Sequence, residues 1–355
     1  MNKDDRNASG LTLFRRIARG LSLVLIAPVV ILIVIVAITP LTISGVLYLI
    51  GAIAIVIGIW GLTWGYPKLR RVLWLGFGLI FVVALVRLVL LNRPSRIKLL
   101  TLPDQNTLCL LDCLIDEQDA SLVSTRVLPL IGWILPAERD GLLDAMYAGY
   151  AGMAKSQALT PSPFIRTYLS LQDPNTFDVV VIEPENNQPT QTGLIFLHGF
   201  TGNFTMPCWL VAQAAPDMLT VCPSVGWKGD WWTSNGEATL RSTIDYLHQR
   251  GINRIYLSGL SNGGVGLSEL AHKLTADISG LILINGASPD AIDSGLPVLV
   301  LAGSNDERMP ADMLHAYANR IGANATFVEL PADHFMLAKK SAEIQNAIAT
   351  WIGQR

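Results

Sequence analysis

Charge is what this sequence has least of. Only 15% of its 355 residues are Asp, Glu, Lys or Arg, while 51% are hydrophobic. An average soluble chain carries about 25% charged residues, so a molecule wholly surrounded by water is excluded. The scarcity is uneven. Residues 1–100 hold 2 acidic residues beside 12 basic ones and carry +10, whereas residues 101–355 carry −12, which conceals the imbalance behind a total of −2. Cysteine is also sparse, with four in the chain. An even count allows Cys208 to pair with Cys222, or Cys109 with Cys113, outside a reducing compartment, but unpaired cysteine equally serves as a small buried apolar residue. Cys109 and Cys113 lack partners at metal-ligand spacing, so no metal site is expected. Internal repeats and low-complexity tracts are missing. So is any basic cluster in the acidic part, which excludes nucleic acid as an expected partner.

Between Arg19 and Lys68 there is no charged residue over 48 positions. One helix crosses a bilayer core with about 20 apolar residues, so this interval fits two crossings, broken at Thr39-Pro40. Spans are expected near 21–38 and 43–64. A third apolar run, about 72–91, is interrupted only by Arg87, near enough to the end for its stem to snorkel toward the headgroups. Trp60, Trp64 and Trp74 stand near span ends, where amphipathic rings prefer to lie. A cleaved signal peptide is the alternative for the first run, but the run is long and two more follow. Basic residues precede span one (Lys3, Arg6, Arg15, Arg16, Arg19) and fill the second connection (Lys68, Arg70, Arg71), which places both in the cytoplasm. Three crossings then put the rest of the chain outside the cytoplasm. Arg93, Arg96 and Lys98 weigh the other way, toward a cytoplasmic domain behind a surface helix. The expected protein is a multi-pass membrane protein with the lipid bilayer as partner.

The expected division is a membrane anchor over 1–98, a helical juxtamembrane segment over 99–160, and a catalytic domain over 161–355. The segment is expected to pack on the following domain, with a lid over a site as the alternative. From about residue 164, β-rich runs alternate with helical stretches. Phe164–Leu171 and Phe177–Glu183, joined by Asp173-Pro174-Asn175, suggest an antiparallel pair. Gly193–Leu197, Met218–Cys222, Arg254–Ser258, Gly280–Ile284, Pro297–Ala302 and Thr326–Glu329 are mostly too apolar to have a solvated face. Spaced by helices, they indicate an α/β domain with a mostly parallel sheet of about eight strands, covered on both faces.

The strand Ile255–Ser258 runs into Gly259-Leu260-Ser261-Asn262-Gly263 and then a helical stretch. Gly-x-Ser-x-Gly is common in loops. Between a strand and a helix it describes a strained turn that lifts a serine above the sheet at a helix N-terminus. Serine is a poor nucleophile without a base. His334 follows the last strand, at the carboxyl edge where Ser261 also sits; His248, His272 and His315 lie in helical stretches. The third member should be a carboxylate after an intervening strand. Asp306, in the loop after Pro297–Ala302, is preferred over its rivals Glu307 and Asp333. Leu197-His198-Gly199-Phe200-Thr201-Gly202, directly after a strand, supplies an oxyanion candidate: the N–H groups of Phe200 and Asn262 would be the donors, and His198 would have a structural task.

With these motifs in hand, residues from about 164 to 355 resemble the α/β-hydrolase superfamily of serine hydrolases. The resemblance is carried by His198-Gly199-Phe200-Thr201-Gly202, the Ser261 elbow, Gly303-x-x-Asp306-x-x-x-Pro310 and Asp333-His334, in the family order of serine, acid, histidine. It implies an α/β-hydrolase fold and a Ser-His-Asp esterase mechanism that needs no cofactor. Residues 1–160 fall outside it. Trp227, Trp231 and Trp232, in the loop after the strand ending near Cys222, are candidates for an apolar wall of a substrate pocket, or else cover the rim of the sheet. The expected activity is hydrolysis of a small-molecule or lipid carboxylic ester. A peptidase, thioesterase or acyltransferase with the same triad, and a catalytically silent membrane-anchored binding module, are the alternatives.

Overall fold

A computed structural model describes residues 20, 29–93, 95–105, 110–186 and 188–355. Two apolar helices form a hairpin near its start, α1 (Ile43–Thr63) and α2 (Arg70–Leu91). Both are long and apolar enough to cross a membrane, with mean hydropathy of 2.4 and 2.5. Thr42 caps α1 by accepting from the Gly45 N–H at 3.1 Å, which replaces a partner that a helix start otherwise lacks. The two backbones approach closely at glycines, since a Cβ on Gly76 would stand 2.7 Å from the Gly51 carbonyl oxygen. Of the first expected span, residues 29–37 are helical. Residues 21–28 lie outside the described residues, so the structure describes two of the three expected spans in full.

Arg87 does not snorkel. It is buried among acceptors: Nε donates to the Cys113 carbonyl at 2.9 Å, and Nη1 donates to Ser44 Oγ and Asp116 Oδ2, each at 2.9 Å. On the adjacent turn, Asp119 accepts from the Thr42 N–H and hydroxyl, both at 2.7 Å. The Tyr48 hydroxyl donates to the Leu114 carbonyl at 2.6 Å. The open end of the hairpin is thus bolted to residues 113–119. Removing one partner of a buried ion pair costs about 3–5 kcal/mol, because the other charge stays buried. Asp116→Ala is therefore expected to destabilise the detergent-solubilised chain by about that much in chemical denaturation, and a value within about 0.5 kcal/mol of wild type would contradict this account of Arg87.

The remaining elements build one sheet and its covering. The strands are β1 (Ile97–Leu102), β2 (Phe177–Ile182), β3 (Thr192–Leu197), β4 (Leu219–Pro223), β5 (Arg254–Leu260), β6 (Gly280–Ile284), β7 (Val298–Gly303) and β8 (Ala325–Leu330), in spatial order β1-β2-β4-β3-β5-β6-β7-β8. β2 runs antiparallel to both β1 and β4, and the other pairs are parallel. The helices are α3 (Glu117–Val127), α4 (Leu142–Ser156), α5 (Phe164–Tyr168), α6 (Thr205–Ala212), α7 (Ser234–Gln249), α8 (Asn262–Leu270), α9 (Ala311–Ile321), α10 (Met336–Lys339) and α11 (Ser341–Gly353). Every residue of β2 is buried, and its side chains alternate. Val179 and Val181 join a core with Leu240 and Leu267 from α7 and α8, while Val180 and Ile182 join one with Tyr150 and Val211 from α4 and α6. Covering both faces explains why the strands read as continuous apolar runs. The fold is α/β-hydrolase-like.

Two expectations are corrected. Phe164–Leu171 is not a strand: Phe164–Tyr168 is helical, because Pro163 supplies a fixed φ at its start and Thr167 turns its hydroxyl back to the Pro163 carbonyl at 2.8 Å. The edge strand antiparallel to β2 is instead β1, from Ile97↔Ile182 to Leu102↔Phe177. That strand crosses the expected boundary at 98/99 and opens a segment expected to be mainly helical. Cys208 and Cys222 are disulfide-bonded, joining α6 to β4. Cys113 is also in a disulfide; its expected partner, Cys109, lies outside the described residues.

Candidate active site

The turn from β5 to α8 holds Ser261 at φ 52° and ψ −119°, a conformation that non-glycine residues avoid at a cost of about 1–3 kcal/mol. The flanking glycines leave room for it. A Cβ on Gly259 would stand 2.5 Å from the Gly263 carbonyl, and one on Gly263 2.1 Å from the Leu197 carbonyl oxygen. The Ser261 N–H is anchored to the Ile284 carbonyl at 2.9 Å. The side chain is thereby aimed out of the sheet's carboxyl edge.

His334 arrives from the loop after β8. Its Nε2 lies 3.0 Å from Ser261 Oγ and its Nδ1 lies 2.7 Å from Asp306 Oδ2. A carboxylate can only accept, so Nδ1 carries the proton and Nε2 presents its lone pair to the serine hydroxyl. Asp306 is buried, and its other oxygen accepts from the Arg308 and Met309 N–H groups at 2.8 and 3.0 Å. The rival carboxylates have other surroundings. Asp333 accepts from the Phe335 N–H and pairs with Lys339 at 2.6 Å, and Glu307 is exposed.

The turn of the oxyanion candidate lies directly on the serine: a Cβ on Gly199 would stand 3.1 Å from Ser261 Cβ. Among the described residues, neither the Phe200 nor the Asn262 N–H donates to a backbone carbonyl. Asn262 directly follows Ser261 at the first position of α8, and Phe200 directly follows Gly199. The Phe200 ring packs on Trp133 and Trp227, with centroids 5.7 and 5.0 Å away.

His198 is buried below this turn. Its Nε2 accepts from the Val225 N–H at 3.2 Å, so Nδ1 is the donor to the Gly199 carbonyl at 2.8 Å. Burial pushes the imidazole down to about 4, against the pull of the Gly199 carbonyl and Asp230. Above about pH 6.5 the ring is neutral folded or unfolded, and this stability is fully present. As pH falls from 6.5 toward 4, the unfolded chain takes up a proton that the folded chain refuses. Stability from this residue then falls by up to about 3 kcal/mol. Urea titrations at pH 7 and 4.5 should show a steeper loss for wild type than for His198→Asn; equal losses would rule out His198 as the source.

Ser261, His334, Gly199 and Phe200 open on a cavity of about 580 Å³. Its far wall comes from the segment expected to pack on the domain, with a lid over a site as the alternative: Ser124, Thr125 and Leu128 at the end of α3, then Trp133, Ile134, Leu142 and Met146. Arg308 fastens this roof to the Asp306 loop through two bonds to Glu138, at 2.6 and 2.7 Å, and one to the Trp133 carbonyl at 2.7 Å. Burial opposes ionisation of Glu138, but the Arg308 hydrogen bonds, the Leu135 N–H and the Arg308 charge outweigh it and hold the carboxyl below its usual range.

None of the three tryptophans expected as a pocket wall lines the cavity. Trp231 is fully buried and donates to the His198 carbonyl at 2.8 Å, because its indole N–H needs a partner in the core. Trp232 is exposed. Trp227 stacks behind the lining residue Trp133, with ring planes 9° apart. Sequence reasoning also passed over Asn285 and Gly286. Asn285, at φ 44°, donates to the Asp333 and His334 carbonyls and accepts from the Gly303 N–H at 2.8 Å, so it ties the histidine loop to the acid-bearing strand. A Cβ on Gly286 would stand 2.1 Å from the Ser261 carbonyl oxygen. Their only signal was position, immediately after a core strand at the carboxyl edge. Among the described residues, no group of three or more His, Cys, Asp or Glu is placed to hold a metal ion.

No known family profile matches the chain, and no curated protein matches it. Solved structures do resemble it. An α/β serine hydrolase without lid from Xanthomonas campestris shares 19% identity over 52% of this chain and 91% of its own, with a TM-score of 0.43. Est1E from Butyrivibrio proteoclasticus shares 17% over 50% and 95%, with a TM-score of 0.43. A thermophilic esterase from Thermogutta terrifontis shares 17% over 51% and 95%, with a TM-score of 0.41. These structural neighbours are α/β serine hydrolases and esterases, each matched over about half of this chain.

Proposed function

We propose that the chain is a membrane-anchored serine hydrolase that cleaves carboxylic esters. The observation that carries the reading is the unbroken hydrogen-bonded line from Ser261 Oγ through His334 to Asp306, ending at an apolar cavity. Ser261 Oγ attacks the ester carbonyl while His334 Nε2 takes its proton. Asp306 keeps the imidazole in the required tautomer and stabilises its cation. The N–H groups of Phe200 and Asn262 receive the oxyanion, each worth about 3–4 kcal/mol in the transition state. His334 then protonates the leaving alkoxide, and the same nitrogen deprotonates the water that releases the acid. Full-length protein in detergent should hydrolyse p-nitrophenyl esters to free acid. Acyl transfer to an added alcohol in preference to water would reassign it as an acyltransferase.

The anchor comprises the α1–α2 hairpin together with a span over about 21–38, and the catalytic domain faces outward. Lys68, Arg70 and Arg71 lie at the closed end of the hairpin, while Asp116 and Asp119 meet its open end. The positive-inside tendency then puts the domain on the extracytoplasmic side, and the Cys208–Cys222 disulfide suits an oxidising compartment. Protease added to intact cells should cut the domain. Protection alongside cleavage of an external marker would reverse this topology.

A further inference from the structure

The level at which the domain grips the hairpin carries a consequence for substrate delivery. Leu114 is bonded to Tyr48, five residues inside the start of α1, and Cys113 to Arg87, four residues before the end of α2. At 1.5 Å per residue, Tyr48 and Arg87 lie about 6–8 Å below the ends of two helices apolar enough to cross a membrane, so the turn 111–115 that their side chains hold lies beside the last turns of those helices. A turn at that depth meets the boundary between headgroups and acyl chains, provided the hairpin spans a bilayer.

The outward face of this turn suits that boundary. Asp112 points inward, is buried and accepts from the Arg166 N–H at 3.2 Å, which leaves Leu110, Leu111 and Ile115 outside. The turn packs against α5, whose end adds Tyr168, Leu169 and Leu171. Two long polar side chains of that neighbourhood are turned to Asp178, Arg166 by an ion pair and Gln172 by a bond at 2.9 Å, while Ser170 between Leu169 and Leu171 is exposed. The six apolar residues are between 39% and 58% exposed, on a molecule that covers both faces of its sheet. Contiguous exposed apolar patches mark contact surfaces. Tyr168 belongs to both places, since it lines the cavity that holds Ser261.

We propose that the patch formed by the 110–115 turn and the end of α5 sits in the bilayer interface, and that long-chain lipid esters pass from the bilayer by Tyr168 to Ser261. The substrate class is thus a lipid ester resident in the membrane. The proposal rests on the hydrolase reading of the site and on the hairpin spanning a bilayer. Continuity with the hairpin selects the bilayer as occupant, because the patch begins at the residues that hold α1 and α2.

Two measurements on full-length protein in phosphatidylcholine vesicles test it separately from the chemistry. Among the described residues no cysteine is free, so a single NBD label can be placed at Leu171→Cys or, as a control, at the exposed Glu307→Cys. The Leu171 label should emit as in an apolar medium and be quenched by brominated phosphatidylcholine, while the control should report water. A Leu171 label in water would overturn the bilayer contact whether or not the chain hydrolyses anything. The second compares the Leu110→Asp/Leu169→Asp/Leu171→Asp variant with wild type on two substrates. Hydrolysis of a soluble butyrate ester should stay within about twofold, and hydrolysis of a vesicle-embedded palmitoyl ester should fall at least tenfold. Equal retention of both activities, or a wild type that cleaves the soluble ester but not the embedded one, would overturn delivery from the bilayer. If wild type cleaves neither, the hydrolase reading fails and delivery fails with it, while the label still decides the surface.

Discussion

Exchanging Ser261 for alanine is expected to lower kcat for a carboxylic ester by about 10⁶-fold with KM little changed. Removing the nucleophile of such a unit costs about as much as removing the whole unit, and what survives comes from binding and oxyanion donors. Both remain in the variant. The cavity is lined largely by other residues, and the backbone groups of Phe200 and Asn262 do not depend on the Oγ. The fold should survive as well, because the elbow is held by the Ser261 N–H and the surrounding glycines rather than by the hydroxyl. Alanine keeps the Cβ, so the strain of the φ of 52° is unchanged in the variant. A loss of less than about a hundredfold in a folded variant would mean that another group performs the attack. Steady-state kinetics beside near-UV circular dichroism separates these cases.

The second large effect distinguishes the carboxylates. Asp306→Asn should cost about 10⁴-fold in kcat, because an amide can donate to Nδ1 and favour the wrong tautomer, leaving Nε2 protonated and unable to accept from Ser261. Its remaining oxygen can still accept from the Arg308 and Met309 N–H groups, so the loop has reason to keep its place. Asp333→Asn, one residue from the histidine, should change kcat by less than about tenfold. Its carboxylate holds the Phe335 N–H and Lys339, and does not touch the imidazole. Equal effects of the two substitutions would show that the charge near the histidine matters and the Asp306 hydrogen bond does not.

What could be read from the chain follows the range of the interactions involved. Gly259 to Gly263 is a local device, needing only a strand before it and a helix after it, so the pattern locates the turn without the rest of the fold. The strands β3 to β7 were legible because burial on both faces demands unbroken apolar runs, and the half-exposed edge strand β8 by its short β-rich run. β1 was not, because Ile97–Leu102 directly follows an apolar helix and its partner β2 lies about 80 residues onward. Phe164–Tyr168 has the composition of a strand, yet Pro163 and the inward turn of Thr167 make it helical. Propensity gives way to tertiary context in such short pieces.

The cavity was the least legible part. Its roof is made by residues 121–146, whose placement depends on Arg308 reaching Glu138 across 170 positions. No local pattern announces a contact of that kind. The tryptophans misled for a related reason. Indoles near a catalytic edge suit a pocket wall, but the buried His198 carbonyl offered Trp231 an acceptor in the core. Arg87 illustrates the same point in the apolar hairpin. Snorkelling is the outcome for a lone arginine near a span end, and the acceptors at Ser44, Cys113 and Asp116 replace it. The elements are written locally, and the site is completed by contacts between distant segments.

The central claim is that Ser261 is a nucleophile activated by His334. Treating the full-length chain in detergent with a fluorophosphonate and mapping the adduct by mass spectrometry tests it most directly. The account predicts one adduct per chain, on Ser261, absent from Ser261→Ala and strongly slowed in His334→Ala. A folded wild-type chain that forms no adduct, or labels Ser261→Ala equally well, would contradict it.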